Sequence, residues 1–432
     1  MSGGRKPRKA KARILGKVTR MATTPAARKR RSQSDPGPPP LPEPGAAREW
    51  LATMLLIRRF EERAGELYAK AKIGGFLHLA IGEEATIVGA ARALRDSDYL
   101  ISTYRSHGHA IARGTSPDKV MAELFGKEGG CSRGRGGSMH MFDLERRFMG
   151  GYGIVGGNLP IAAGFGLSAD LLRTDDATLC MFGDGASNQG TFGETMNLAA
   201  LWRLPIVFMV SNNQFGMGTA LARHSAVTDL RRKGESFGVP GVRCDGMDVA
   251  DTHRTIVDAL QRARDERQPV LVEAVTYRFR GHSMADPEEY RTREQVAEWR
   301  RRDPIALFSA RLEDAGVLDA DGVAKLDAEA VARVDEAVAF ADASPFPAPE
   351  SLYDDVYALG DQVRGWYSVD ERSPGVHRGE DERERDVDPR MQEEYDQHAS
   401  GPHSGQEERP ADAAQDADVG SGGRTHDGER GG

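Results

Sequence analysis

Two uninterrupted apolar runs constrain this chain most: residues 177–182 (ATLCMF) and 205–211 (PIVFMVS). Neither alternates polar with apolar. Each therefore reads as a strand covered on both faces, which is the habit of parallel sheets. Between them, 183–190 reads as a turn and 192–202 as a helix. Strand, turn, helix and strand within about 35 residues make a βαβ unit. Other segments fit the same plan. Residues 159–172 read as a helix of small residues, 251–264 as a helix and 269–277 as a further strand. Residues 47–68 place Trp50, Met54, Ile57 and Phe60 on one helical stripe, and the pattern after Asp303 is helical and charged. The expected fold class is α/β: a doubly wound, mostly parallel sheet with a C-terminal helical portion.

The two ends differ from this middle. Residues 1–45 are rich in Lys, Arg, Pro and Ser, and 368–432 are hydrophilic with almost no aliphatics. Such segments bury too little apolar surface to offset the entropy of ordering. Both read as disordered tails around a single folded part, 46–367. The first is basic and free of acids before Asp35, which weakly resembles an organelle transit peptide. A solvated basic tail is the simpler reading, and Met21 is an alternative start.

Several function classes fall away. A net charge of −8 over 432 residues argues against nucleic-acid binding as the main task. No apolar run approaches the ~18 residues of a membrane span, and the basic N-terminal stretch has no apolar core of the kind a secretory signal needs. The expected compartment is the cytoplasm. Cys131, Cys180 and Cys244 are far apart and form no C-x-x-C pair, so neither a disulfide framework nor a zinc site is indicated. Cys180 reads as a small buried hydrophobe.

Chemistry concentrates at Gly183-Asp184-Gly185 and at Asn212-Asn213, which begins twenty-seven residues after Gly185. Each group falls at the carboxyl end of an expected strand, the edge where open parallel sheets bind ligands. Neighbouring strands would bring Asp184 and Asn213 together. One carboxylate and one amide oxygen suit Mg²⁺, which keeps water and phosphate oxygens as its other ligands. The glycines let the backbone approach a diphosphate, and the helix opening near Thr191 would aim its N-terminal amides there. Either motif alone is a common turn or strand end. Together, at this spacing, they point to a site.

The stretch GDGASNQGTFGETMNLAALWRLPIVFMVSNNQFGMGT resembles the alpha subunits of thiamine-diphosphate-dependent 2-oxo acid dehydrogenases, those of the pyruvate type above all. The resemblance runs from Leu51 to Ala358. It includes GFLHLAIGEEA, ISTYRSHGHAIARG, GGCSRGRGGSMHMF, GGYGIVGGNLPIAAG, YRFRGHSMADP and SLYDDVYA, in that order.

By that resemblance, Asp184, Asn213 and the backbone carbonyl of Phe215 hold Mg²⁺. The family often has Tyr at Phe215, a difference a carbonyl ligand tolerates. Gly185 and Ala186 approach the diphosphate of thiamine diphosphate through backbone amides, and Tyr104 and Arg105 contact it too. Gly153 and Val155 lie against the aminopyrimidine. Phe76 and His78 line the substrate side. His282, in Gly281-His282-Ser283, is the first candidate for proton chemistry, with His78 and His107 behind it. Ser283 matches a serine phosphorylated in some members. It reads here as a loop hydroxyl, because DPEEY lacks the second regulatory serine.

The resemblance also implies what this chain lacks. The carboxylate beside the aminopyrimidine would come from a separate beta subunit, in an assembly of two alpha and two beta chains. The implied reaction is oxidative decarboxylation of pyruvate or a related 2-oxo acid, with acyl transfer to the lipoyl group of a dihydrolipoyl acyltransferase. Branched-chain 2-oxo acids and acetoin are the rival substrates. A degenerate scaffold is the non-enzymatic rival; retention of Asp184, Asn213, Arg105 and His282 speaks against it.

Overall fold

The computed structural model describes residues 37, 39–349 and 351. Nearly all of the expected N-terminal tail, the Met21 start, the expected tail 368–432 and most of SLYDDVYA lie outside these residues. The first helix, Pro44–Ala69, opens three residues before the expected stripe. Its first turn carries Pro44, whose fixed φ suits a helix start. Trp50, Met54, Ile57 and Phe60 are all buried on its inner side.

Six strands form one sheet. In chain order they are β1 (Tyr99–Thr103), β2 (Phe148–Tyr152), β3 (Thr178–Gly183) and β4 (Ile206–Asn212); then, past a small ribbon of β5 (Phe215–Gly216) and β6 (Thr219–Ala220), β7 (Gly241–Asp245) and β8 (Val270–Val275). The sheet order is β2-β1-β3-β4-β8-β7, and every pairing in it is parallel. The two leading apolar runs became β3 and β4, each within a residue of its expected bounds.

Their lack of alternation now has its cause. Leu179, Met181, Val207 and Met209 face the larger core. Cys180, Phe182, Phe208 and Val210 face a smaller core on the other side. Each such side chain contributes about 1.5–3 kcal/mol on burial, so both faces demand apolar residues. The helices Pro44–Ala69, Glu84–Arg92, Val249–Asp265 and Ala320–Ala343 cover the larger core. Asn158–Leu172 and Gly190–Leu201 cover the smaller. Among the described residues no helix is long and apolar enough to cross a membrane.

The topology positions the site. From β1 the chain reaches β2 on one side and β3 on the other. The helices cannot fill the gap above the carboxyl ends of β1 and β3, so a crevice opens there.

Candidate active site

The crevice holds a cavity of about 290 Å³. Tyr104 and Arg105 reach it just past β1, Asp184 just past β3 and Asn213 just past β4. The register of β3 and β4 pairs Gly183 with Ser211, which sets the Asp184 and Asn213 segments at one level. Gly185, Ala186, Val155, Phe215 and His282 also line the cavity.

At its deep end the polar groups are tightly tied. The Asn213 amide nitrogen donates to Glu83 Oε1 at 2.8 Å. That fixes the amide orientation and turns Oδ1 towards Arg278. Arg278 Nη1 donates to Asn213 Oδ1 at 3.1 Å and to the Phe215 carbonyl at 2.9 Å. Two oxygens therefore converge on one cationic nitrogen, and each keeps a second lone pair. The Asp184 carboxylate accepts from His224 Nε2 at 3.1 Å. Burial pushes the Asp184 carboxyl up from its ordinary range, against the opposing pull of His224 and Arg278. Glu83 stands where it does because Gly82 has φ of +101°, and a Cβ there would lie 2.4 Å from the Tyr277 carbonyl oxygen. Only glycine lets this segment press against residues 277–279.

Arg105 is buried and binds the two flanking loops together. It donates to the Leu79 carbonyl, and to the His282 carbonyl at 2.9 Å. Its Nε lies 3.5 Å from Glu83 Oε2. Asp286 accepts from the His282 backbone N–H at 2.6 Å, so His282 is held from both sides of its peptide. The His282 ring centre lies 5.0 Å from that of His78 and 5.6 Å from that of Tyr104. Burial, then the charge of Arg105, lowers His78 to about 3 and His282 to about 4. Both imidazoles are neutral at pH 7. His78 Nδ1 is buried with no hydrogen-bond partner among the described residues, as are the cavity-lining Ser102 Oγ and His109 Nε2. Polar atoms orphaned beside a cavity fit a polar ligand.

Comparison with known proteins decides the family. The profile described as "Dehydrogenase E1 component" matches residues 52–350. This chain belongs to the dehydrogenase E1 component family. It is 46% identical over 304 residues to "Pyruvate dehydrogenase E1 component subunit alpha" of Rhizobium meliloti (strain 1021), covering 70% of this chain and 87% of that protein. The protein of the same name from Rickettsia felis (strain ATCC VR-1525 / URRWXCal2) is 42% identical over 304 residues, covering 70% of this chain and 93% of that protein. The one from Porphyra purpurea is 42% identical over 301 residues, covering 68% of this chain and 88% of that protein.

Not every expected site residue of this E1 chain reaches the cavity. Phe76 is 62% exposed and lies outside the cavity wall. His78 stands just behind the wall, its ring centre 4.5 Å from that of Tyr104. Gly153 sits against the His140 ring rather than on the wall. The structure does not bring His107 to the cavity. Its Nδ1 meets Glu61 Oε2 at 3.0 Å and its Nε2 meets Ser138 Oγ at 2.8 Å, all within the core. Both nitrogens are consumed in tying the first helix to the Gly-rich segment, which leaves none for a substrate.

Four contributors escaped the sequence reading: Glu83, His109, His224 and Arg278. Glu83 and Arg278 lie inside the motifs GFLHLAIGEEA and YRFRGHSMADP, the motifs that carry His78 and His282. For Arg278 a charged residue between Tyr277 and Phe279 was the available signal. His224 carried none, because only the fold brings residue 224 to residue 184.

Proposed function

We propose that this chain is the alpha subunit of a pyruvate dehydrogenase. It decarboxylates pyruvate oxidatively and delivers the acetyl group to the lipoyl group of a dihydrolipoyl acyltransferase. The observation that carries the reading is the cavity at the switch point of an E1-family sheet, lined together by Asp184, Asn213 and Phe215.

The donor set is one carboxylate, one amide oxygen and one backbone carbonyl. Hard oxygens of this kind fit Mg²⁺, completed by phosphate oxygens and water. Among the described residues no three His, Cys, Asp or Glu side chains form a metal site, in keeping with a cation that relies on carbonyl oxygens. Asp184, Asn213 and Phe215 would hold the ion. Gly185 and Ala186 would bring backbone amides to the diphosphate, with Tyr104 and the buried cation Arg105 beside it. Val155 would bear on the aminopyrimidine. Thiamine diphosphate, when bound, supplies the electron sink for decarboxylation.

The protein does the rest. Arg105 holds the carbonyls of Leu79 and His282, and so sets the distance between the two loops that carry His78 and His282. Its charge favours an anionic substrate carboxylate close by. Neutral imidazole at His282 takes up or gives back a proton beside the reacting carbon, and His78 backs it.

Glu83 and Asp184 are the only carboxylates on the cavity wall among the described residues. Both are already engaged, by Asn213 and by His224. A carboxylate for the aminopyrimidine must come from another chain. The beta subunit is that chain, in an assembly of two alpha and two beta subunits.

The test is to assemble the chain with its natural beta partner and follow decarboxylation with an artificial electron acceptor. Pyruvate, 2-oxobutyrate, 3-methyl-2-oxobutanoate and acetoin form the panel, with and without thiamine diphosphate and Mg²⁺. Cofactor-dependent turnover that prefers pyruvate is expected. Preference for the branched acid or acetoin overturns the substrate. No turnover in a complex that binds the cofactor overturns the reaction.

A further inference from the structure

A directional hydrogen-bond chain ends on Asp184. Lys233 Nζ donates to Asn188 Oδ1 at 2.7 Å. An ammonium has only protons to offer, so the Asn188 oxygen must face it. The Asn188 amide nitrogen then points the other way. It donates to His224 Nδ1 at 2.9 Å and to the His224 carbonyl at 3.0 Å. His224 Nδ1 accepts, so the ring's donor is Nε2–H. That Nε2–H donates to Asp184 Oδ2 at 3.1 Å. Every link has one permitted direction, and the first is fixed by a cation. Lys233 is itself anchored, donating to Ser187 Oγ at 2.9 Å and to the Ser187 carbonyl at 3.2 Å.

The chain joins two pieces that the sequence keeps apart. Asp184 and Asn188 bound the 3-10 turn Asp184–Asn188 that follows β3. His224 ends the short helix Leu221–His224, and Lys233 lies in the 3-10 segment Leu230–Phe237. The His224 side chain is 14% exposed and the Asp184 side chain 2%. A free carboxylate on a short side chain would rotate and offer either oxygen. Here Oδ2 is occupied by His224.

We infer that His224 is a positioning residue for the metal site, donating Nε2–H to Asp184 Oδ2 so that Oδ1 faces the cation, with its tautomer set by Asn188 and Lys233. This rests on the reading of Asp184 as a metal ligand. Partners of this kind, one step out from a metal, orient the ligand and tune its affinity, and their loss costs about 10- to 100-fold in binding.

The test uses the assembled complex of this chain with its beta subunit, stripped of metal. Mn²⁺ is titrated in the presence of thiamine diphosphate, and free Mn²⁺ is read by electron paramagnetic resonance. Asp184→Ala should abolish tight binding. His224→Ala should weaken it about 10- to 100-fold. His224→Gln, which places an amide N–H near the former Nε2, should restore most of the loss. Asn188→Ala, which frees the ring to take either tautomer, should give a smaller loss in the same direction. His224→Leu, closer to histidine in size, replaces the alanine variant should that one fail to assemble, and should weaken binding likewise. Wild-type affinity in both His224→Ala and His224→Leu, in a complex where Asp184→Ala binds nothing, overturns the role of His224 and leaves the metal site standing. Equal binding by wild type and Asp184→Ala overturns the metal site and this inference with it. A directly bound nitrogen on Mn²⁺ in pulsed spectra, lost in His224→Gln, would make His224 a ligand and overturn the positioning role.

Discussion

The two ends of the cavity are built differently. At the deep end Asn213, Glu83, Arg105 and Arg278 hold one another in place, Asp184 is held by His224, and all five of these cavity residues, Asp184 included, are buried. At the mouth Ile154 is 76% exposed and Val155 44%. Apolar side chains there meet water, and the wall between them carries no acid. Isolated polar groups are costly to bury, so a deep end made within one chain must satisfy them internally. Exposed apolar groups clustered at the rim of a site mark a surface that another molecule covers. On the proposed reading, the contrast assigns the anchoring half of the site to this chain and leaves the half facing the reaction to be completed by another.

The comparison can be broken at either end. The largest effect is expected from Asp184→Ala, which should remove cofactor-dependent turnover altogether and lose metal binding in the assembled complex. Next is His282→Ala. It should lower kcat by about 10²–10⁴-fold, the usual contribution of a proton-transferring group, with cofactor affinity little changed. An equal loss of cofactor affinity would move His282 to the anchoring end. Glu83→Ala follows. It frees the Asn213 amide and removes the carboxylate beside Arg105, so calorimetry should show cofactor binding about 10- to 100-fold weaker, the range for one hydrogen bond to a charged group.

A smaller effect should appear with pH. His78, His109 and His282 are lowered by burial to about 3, about 4 and about 4, from an ordinary 6.5. Between the ordinary and the lowered values the unfolded chain holds more protons than the folded one. The stability these neutral rings contribute is thus fully present above about 6.5 and lost as pH falls towards about 4. Melting temperatures of the cofactor-free complex should decline through that window, and His78→Gln should flatten the slope. Smallest of all should be Ile154→Ser measured on the isolated chain: exposed, it should change stability by no more than about 0.5 kcal/mol. In the assembled complex the same change should cost activity.

Much of this was legible in the sequence, and the reasons are physical. The continuous runs of β3 and β4 have to be apolar on both faces, so they announce themselves. Pro44 could equally have ended a tail, and only packing of the first helix shows that it starts one. Asp184 and Asn213 were readable because strand ends and site coincide in this topology. Their supports were not. Arg278 converges on two oxygens from a loop sixty-five residues away from Asn213, and His224 reaches Asp184 across forty residues. Local pattern carries no record of such meetings. The placement of His107 away from the cavity was hidden for the same reason: its partners Glu61 and Ser138 come from distant segments.

The division of the site between chains is tested most directly by assaying thiamine-diphosphate- and Mg²⁺-dependent pyruvate decarboxylation by this chain alone and again after assembly with its beta subunit. The account predicts no turnover by the isolated chain and cofactor-dependent turnover once the beta subunit is added. Turnover by the isolated chain at the rate of the complex would contradict it, because the reacting half of the site would then have to lie within these residues.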